Sequence, residues 1–280
     1  MRTLYVIVGL LLAQISFASE DRIKPVTLSF HNTLFDKTCC LVISHAGGGI
    51  EGHAYSSSQE ALDANYALGR RVFELDLIQT SDGAWVATHD WKTWADKTNR
   101  EGTRTFYEAI QDAFSDEYVP TKAEFLAAKM HGKFTPIALE NIVAWLQRHP
   151  DAVLLPDTKN SFPDFVKAIS SYHAVSKQII LQAYFKSDLD FLKSCSIALS
   201  NVIFSNYKAE LTPDELIALV QQENIGALTI TRLQALEFGA VLRQKLPNTP
   251  IYVHGAPASI NSLELQYRLK QAGASGFYLD

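Results

Sequence analysis

Short runs of apolar residues recur along this chain, each followed by a turn and then by a stretch in which apolar positions return every three or four residues. The short runs predict strands over 41–44, 72–77, 153–157, 179–183, 202–205, 227–230, 251–254 and 276–279. The longer stretches predict helices over 58–69, 138–149, 163–172, 213–222, 233–245 and 260–272, with Pro213 placed in a first turn after Thr212 as a cap. Apolar strands alternating with helices describe a parallel sheet covered by crossover helices. Eight such strands predict an α/β fold of the closed (β/α)8 TIM-barrel type, which gathers reactive groups at the C-terminal ends of its strands; an open doubly wound sheet is the alternative.

Two features depart from the alternation. Asp82-Gly83 lies between two apolar runs and predicts a β-hairpin extension after the second strand. A two-residue turn there sets Ser81 opposite Ala84, Gln79 opposite Val86 and Asp76 opposite His89, a register that a one-residue slip destroys. The segment from about 92 to 136 is polar, carries Trp94, Phe106, Tyr107 and Tyr118, and shows no clear strand. Its length marks it as an insertion, either a functional lid or a passive loop.

The N-terminus is of another kind. Arg2 precedes an apolar run over 4–13 and the small-residue pattern Ser16-Phe17-Ala18, which predicts a signal peptide over 1–18 and a secreted or periplasmic protein. The run is too short for a bilayer-spanning anchor. Residues 19–280 then form one barrel domain, and with 47% hydrophobic residues the 280-residue chain can build a large core. A net charge of -5, scattered along the chain, offers no basic footprint for nucleic acid and no cationic membrane surface, so the expected partner is a small molecule. Cys39, Cys40 and Cys195 show no metal-binding spacing and read as structural thiols, with a Cys40–Cys195 bridge open.

Candidate chemistry concentrates between positions 41 and 90. Glu74 and Asp76 alternate with apolar neighbours in Val72-Phe73-Glu74-Leu75-Asp76-Leu77, so both side chains leave the strand on one face, where unpaired charge is costly. Two carboxylates on one face suit a hard divalent cation, Mg²⁺ or Ca²⁺, better than zinc. His45 ends the first predicted strand and leads into Gly47, Gly48 and Gly49, whose amides could approach a phosphate. With His89 it supplies two imidazoles, one to take a proton and one to give it. Asp157 offers a third carboxylate, and Lys159, two positions on, a cation for a phosphate oxygen.

These residues resemble those of the glycerophosphodiester phosphodiesterase family, within the wider group of phospholipase C-like phosphodiesterases on the same barrel. The resemblance rests on His45-Ala46-Gly47, Glu74-Leu75-Asp76 with Thr80-Ser81-Asp82-Gly83, His89-Asp90, Asp157-Thr158-Lys159, and the run from Gly273 to Asp280. It implies that His45 and His89 are the general acid/base pair, that Glu74, Asp76 and Asp157 hold the divalent ion, and that Lys159 contacts phosphate. It also places a small capping subdomain at the insertion. Ala46 stands where the family has arginine, Asp157 where it has glutamate, and Ser57-Ser58-Gln59-Glu60 where it has Glu-Asn. The expected activity is therefore exported, metal-dependent hydrolysis of a glycerophosphodiester or a lysophospholipid-like diester. The alternatives are a phospholipase-type lyase that forms a cyclic phosphate and a non-catalytic phosphate-binding barrel.

Overall fold

A computed structural model describes residues 41–98, 118–255 and 262–280. The predicted signal segment, Cys39 and Cys40 lie outside the described residues. Nine strands are found among them: β1 (Val42–Ser44), β2 (Val72–Gln79), β3 (Trp85–Ala87), β4 (Val153–Thr158), β5 (Leu181–Ala183), β6 (Val202–Ser205), β7 (Ala227–Thr231), β8 (Ile251–His254) and β9 (Gly276–Leu279). The helices are α1 (Gln59–Ala67), α2 (Trp91–Thr98), α3 (Lys122–Ala127), α4 (Leu139–Arg148), α5 (Phe162–Ser170), α6 (Lys186–Ser194), α7 (Asn206–Ala209), α8 (Pro213–Glu223), α9 (Arg232–Lys245) and α10 (Leu263–Gln271). No helix of the described residues is long and apolar enough to cross a membrane.

Every strand except β3 runs parallel to its neighbours, and the pairing closes on itself. β1 pairs with β2 and β9, β2 with β4, and the ladder continues from β5 through β9. The seam between β4 and β5 is the narrowest, a bridge between Leu154 and Ile179 joined by the Ile180 amide on the Leu154 carbonyl at 2.9 Å. This is the (β/α)8 barrel that the alternation predicts. Ile43, Val72, Val153, Leu155, Ile180, Ile203, Ala227, Tyr252 and Tyr278 form a separate buried cluster, the side chains that fill the lumen. The outward faces of the same strands, such as Phe73, Leu75, Leu154 and Phe204, join the larger core beneath the helices.

The hairpin exists, but its register differs from the predicted one. Leu77 faces Ala87, Ile78 faces Val86 and Gln79 faces Trp85, one residue away from the two-residue-turn count. Thr80 is the cause. Its amide donates to the Ala84 carbonyl at 2.9 Å, its hydroxyl accepts from the Ala84 amide at 3.0 Å, and Gly83 at φ 80° closes a three-residue loop over Ser81-Asp82-Gly83. The ladder ends at Ala87, whose amide turns to the Ile137 carbonyl, so His89 does not return opposite Asp76.

The insertion is less polar in space than in sequence. Trp91, Trp94 and Ala95 of α2 pack with Phe125 of α3, Met130 and Phe134 into a small core of their own over Val86. Glu60 of α1 fastens this unit to the barrel by accepting from the Thr135 amide and hydroxyl, each at 2.7 Å.

Candidate active site

Strand periodicity builds the site. Two or four residues beyond each apolar lumen side chain, toward the C-terminal end, stands a polar one: His45 after Ile43, Glu74 and Asp76 after Val72, Asp157 after Val153 and Leu155, Gln182 after Ile180, Ser205 after Ile203, Thr229 after Ala227, His254 after Tyr252 and Asp280 after Tyr278. The lumen therefore changes from apolar to polar at a fixed height. There a cavity of about 410 Å³ opens, lined by His45, Glu74, Asp76, His89, Asp157 and Lys159 among others.

His45 is held by a sharp turn. Ala46 adopts φ 49°, ψ 37°, followed by Gly47 at φ 84° and Gly48 at φ 90°. A left-handed alanine costs about 1–2 kcal/mol. Here its amide donates to Glu74 Oε2 at 2.8 Å and its carbonyl accepts from the Ser57 amide at 3.2 Å, so the strained peptide positions a site carboxylate. Gly48 is required for space as well, because a Cβ there would lie 2.4 Å from Asn65 Cγ. The glycine turn does not present the phosphate cradle that its composition predicts. Gly47 and Gly48 do not line the cavity, and the Gly48 amide is spent on the His45 carbonyl at 2.8 Å. Ala46 is likewise buried behind His45 rather than on the wall.

Glu74, Asp76 and Asp157 are buried, and one oxygen from each lies within 4.8 Å of the others. The pairing of Asp76 with Asp157 across β2 and β4 brings the last two together. Lys159 bonds both, at 2.8 Å to Asp76 Oδ1 and 2.6 Å to Asp157 Oδ2. Burial opposes its charge, but Asp157 and Asp76 outweigh burial and hold its pKa above the ordinary lysine value. Burial, and then Asp76 and Asp157, push Glu74 well above the usual carboxylate range. Asp76 Oδ2 and Asp157 Oδ1 are buried without a hydrogen-bond donor. Three crowded carboxylates, one ammonium and orphaned oxygens fit a hard divalent cation with oxygen ligands.

The two predicted histidines sit differently. His45 is buried, with Nδ1 3.3 Å from Asp280 Oδ1, outside hydrogen-bond geometry, and Nε2 4.0 Å from Glu74 Oε2. His89 stands half-exposed at the mouth, its Nδ1 2.6 Å from Asp90 Oδ2. A carboxylate only accepts, so Nδ1 carries the proton and Nε2 is the free ring nitrogen.

The structure adds residues that the sequence reading passed over. His254 Nε2 lies 3.3 Å from His45 Nε2, and Tyr55 packs edge-on against His45 at 4.5 Å. Burial, and then the neighbouring His45, push the His254 pKa down to about 4, so it is neutral at neutral pH. Gln182, Tyr184, Ser205, Tyr207, Lys208, Thr229 and Tyr278 complete the wall. The Tyr278 hydroxyl donates to Gln182 Oε1 and shares a hydrogen bond with Thr229 Oγ1, both at 3.0 Å. One signal was available in the sequence: His254 ends a predicted strand, as His45 does.

No protein-family model matches this chain, and no curated protein matches it in sequence. Solved structures do share its architecture. A glycerophosphodiester phosphodiesterase from Thermotoga maritima superposes with a TM-score of 0.58 at 18% identity, covering 85% of this chain and 93% of that one. Another from Agrobacterium tumefaciens gives 0.58 at 14%, covering 85% and 95%. A phosphodiesterase from Oleispira antarctica, solved with the product sn-glycerol-3-phosphate, gives 0.56 at 15%, covering 88% and 94%. At such identities the likeness shows a common fold, the same TIM barrel that the strand pairing closes.

Proposed function

We propose that the protein is a metal-dependent phosphodiesterase that hydrolyses a small glycerophosphodiester. The observation that carries this reading is a single cavity holding three histidines, His45, His89 and His254, with three buried carboxylates and the half-buried Lys159. Binding alone needs neither a proton donor nor a proton acceptor. The likeness to phosphodiesterase structures, one of them holding sn-glycerol-3-phosphate, supports the substrate class.

Glu74, Asp76 and Asp157 would hold the divalent ion, Mg²⁺ or Ca²⁺. When bound, it neutralises the carboxylates and polarises a phosphoryl oxygen. Lys159, already anchored on Asp76 and Asp157, offers its remaining donor capacity to a phosphate oxygen. His89 keeps Nδ1 on Asp90 and works through Nε2, while His45 works from the buried side, so the two imidazoles serve as proton acceptor and proton donor around the diester. Among the described residues no aliphatic side chain lines the cavity, and its apolar surface comes from tyrosine and histidine rings, which supports a small diester over a lysophospholipid. The apolar N-terminal run supports export to the periplasm or medium, and an N-terminus at Ser19 in the secreted protein is the expected result of Edman sequencing.

The test is phosphate-ester release from glycerophosphodiesters with added Mg²⁺ or Ca²⁺. Activity is expected to vanish on chelation and to fall by about 10²–10⁴ in His45→Ala and in His89→Ala. Phosphate binding without turnover at any metal concentration would sink the enzyme reading, and a cyclic phosphate as the final product would move it to the lyase class.

A further inference from the structure

The cavity wall beside Asp157 carries a second recognition element. Next to β4 in the ring come β5, which leads into Tyr184, and β6, from which the chain passes into α7, a single turn that places Tyr207 and Lys208 at the mouth. This turn is held firmly. The side chain of Asn206, fully buried, donates to the Leu211 carbonyl and accepts from the Leu211 amide, both at 2.9 Å. Lys208 is thereby presented with its Nζ 4.1 Å from the centre of the Tyr184 ring, a cation–π contact at the cavity wall.

The two cavity lysines differ in what remains for a ligand. Lys159 is neutralised by two carboxylates at salt-bridge distance. Lys208 is exposed, and among the described residues no carboxylate lies within 4.0 Å of it. The ring face of Tyr184 that could receive a quaternary ammonium is already covered by the Lys208 ammonium. Gln182, Ser205 and Thr229 line the same cavity and add amide and hydroxyl groups between the tyrosine rings, Gln182 and Thr229 being bonded to Tyr278. A cation, an occupied aromatic face and polar groups between the rings suit an alcohol bearing negative charge and hydroxyls.

We propose that Tyr184 and Lys208, with Tyr207 at the rim, form an alcohol subsite that selects phosphodiesters whose second alcohol carries an anionic group and rejects those carrying a quaternary ammonium. This rests on the phosphodiesterase reading above. The Asp76, Asp157 and Lys159 end takes the diester phosphate, and Lys208 meets the far substituent.

The experiment uses three glycerol-3-phosphodiesters that differ only in the second alcohol: a hydroxy acid, glycerol, and choline. Each is measured for kcat/KM with metal and for binding by calorimetry in chelator, where turnover is absent. At low salt the hydroxy-acid diester is expected to exceed the choline diester by about tenfold in both measurements, and added salt is expected to compress that ratio. Lys208→Gln should bring the ratio toward one, and Lys208→Glu should invert it. A ratio that stays the same in the wild type and both variants, or a wild-type preference for choline, overturns the subsite. Turnover without ranking keeps the phosphodiesterase and rejects the subsite. Ranking in the binding measurement without turnover of any diester does the reverse, and the absence of both rejects both.

Discussion

At the scale of single residues, the site depends on backbone that few sequences tolerate. Ala46 in a left-handed conformation aims its amide at Glu74, and Gly48 gives way to the Asn65 carboxamide. Gly48→Ala meets both obstacles, a positive φ and a contact of 2.4 Å, so a loss of at least about 1 kcal/mol is expected in urea unfolding. Loss of stability should come with loss of activity, because the same turn seats His45. His254 is a different test. Being neutral and 3.3 Å from His45, it restrains the imidazole without adding charge, so His254→Phe is expected to lower kcat while leaving the melting curve nearly in place. An unchanged kcat in that variant would remove His254 from the account.

At the scale of elements, the insertion is a small packed unit tied to the barrel at a few points. Phe125 is fully buried between Trp91 and Trp94, and Phe125→Ala should cost this unit about 3–5 kcal/mol. Hydrogen exchange is expected to rise in α2 and α3 while β4 to β9 keep their protection. Faster exchange across the whole barrel would mean that the insertion is not a separate unit. Its tie through Glu60 has a pH signature. Burial favours the neutral acid, but the Thr135 amide and hydroxyl outweigh it and hold the carboxyl below its ordinary value of 4.5. A lowered folded pKa adds stability above 4.5 that is lost as pH falls through the lower value. Denaturant unfolding followed downward from neutral pH should show a shallower acid loss in Glu60→Gln than in the wild type.

At the scale of the whole molecule, the barrel brings three carboxylates from β2 and β4 to one point, and their mutual repulsion is a cost of folding without a cation. A divalent ion that binds only the folded state at about 100 times its Kd adds about 2.7 kcal/mol. Differential scanning calorimetry with Mg²⁺ or Ca²⁺ is expected to show the melting temperature rising by several degrees, and Glu74→Gln and Asp157→Asn should lose most of that rise. Equal melting curves with chelator and with either ion would argue against a resident metal.

The sequence alone determined a parallel sheet covered by helices, because eight apolar runs spaced by amphipathic stretches must bury both faces of a sheet, while the pairing across Leu154 and Ile179 decided for the closed barrel over the open doubly wound sheet. It also determined which strand ends carry His45, the Glu74 and Asp76 pair, Asp157 and Lys159, since period-two alternation is local. What it did not contain was the meeting of strands distant in sequence. The hairpin slipped by one residue because Thr80 closed a longer loop, and His89 came to the cavity mouth rather than opposite Asp76. The glycine turn folded its amide inward against His45 instead of toward a ligand. His254 reached His45 only through the parallel pairing of β8, β9 and β1, which brings side chains 209 positions apart into contact. Barrel closure is a long-range event, and the wall that sets Tyr184 and Lys208 beside Asp157 exists only once β5 has met β4.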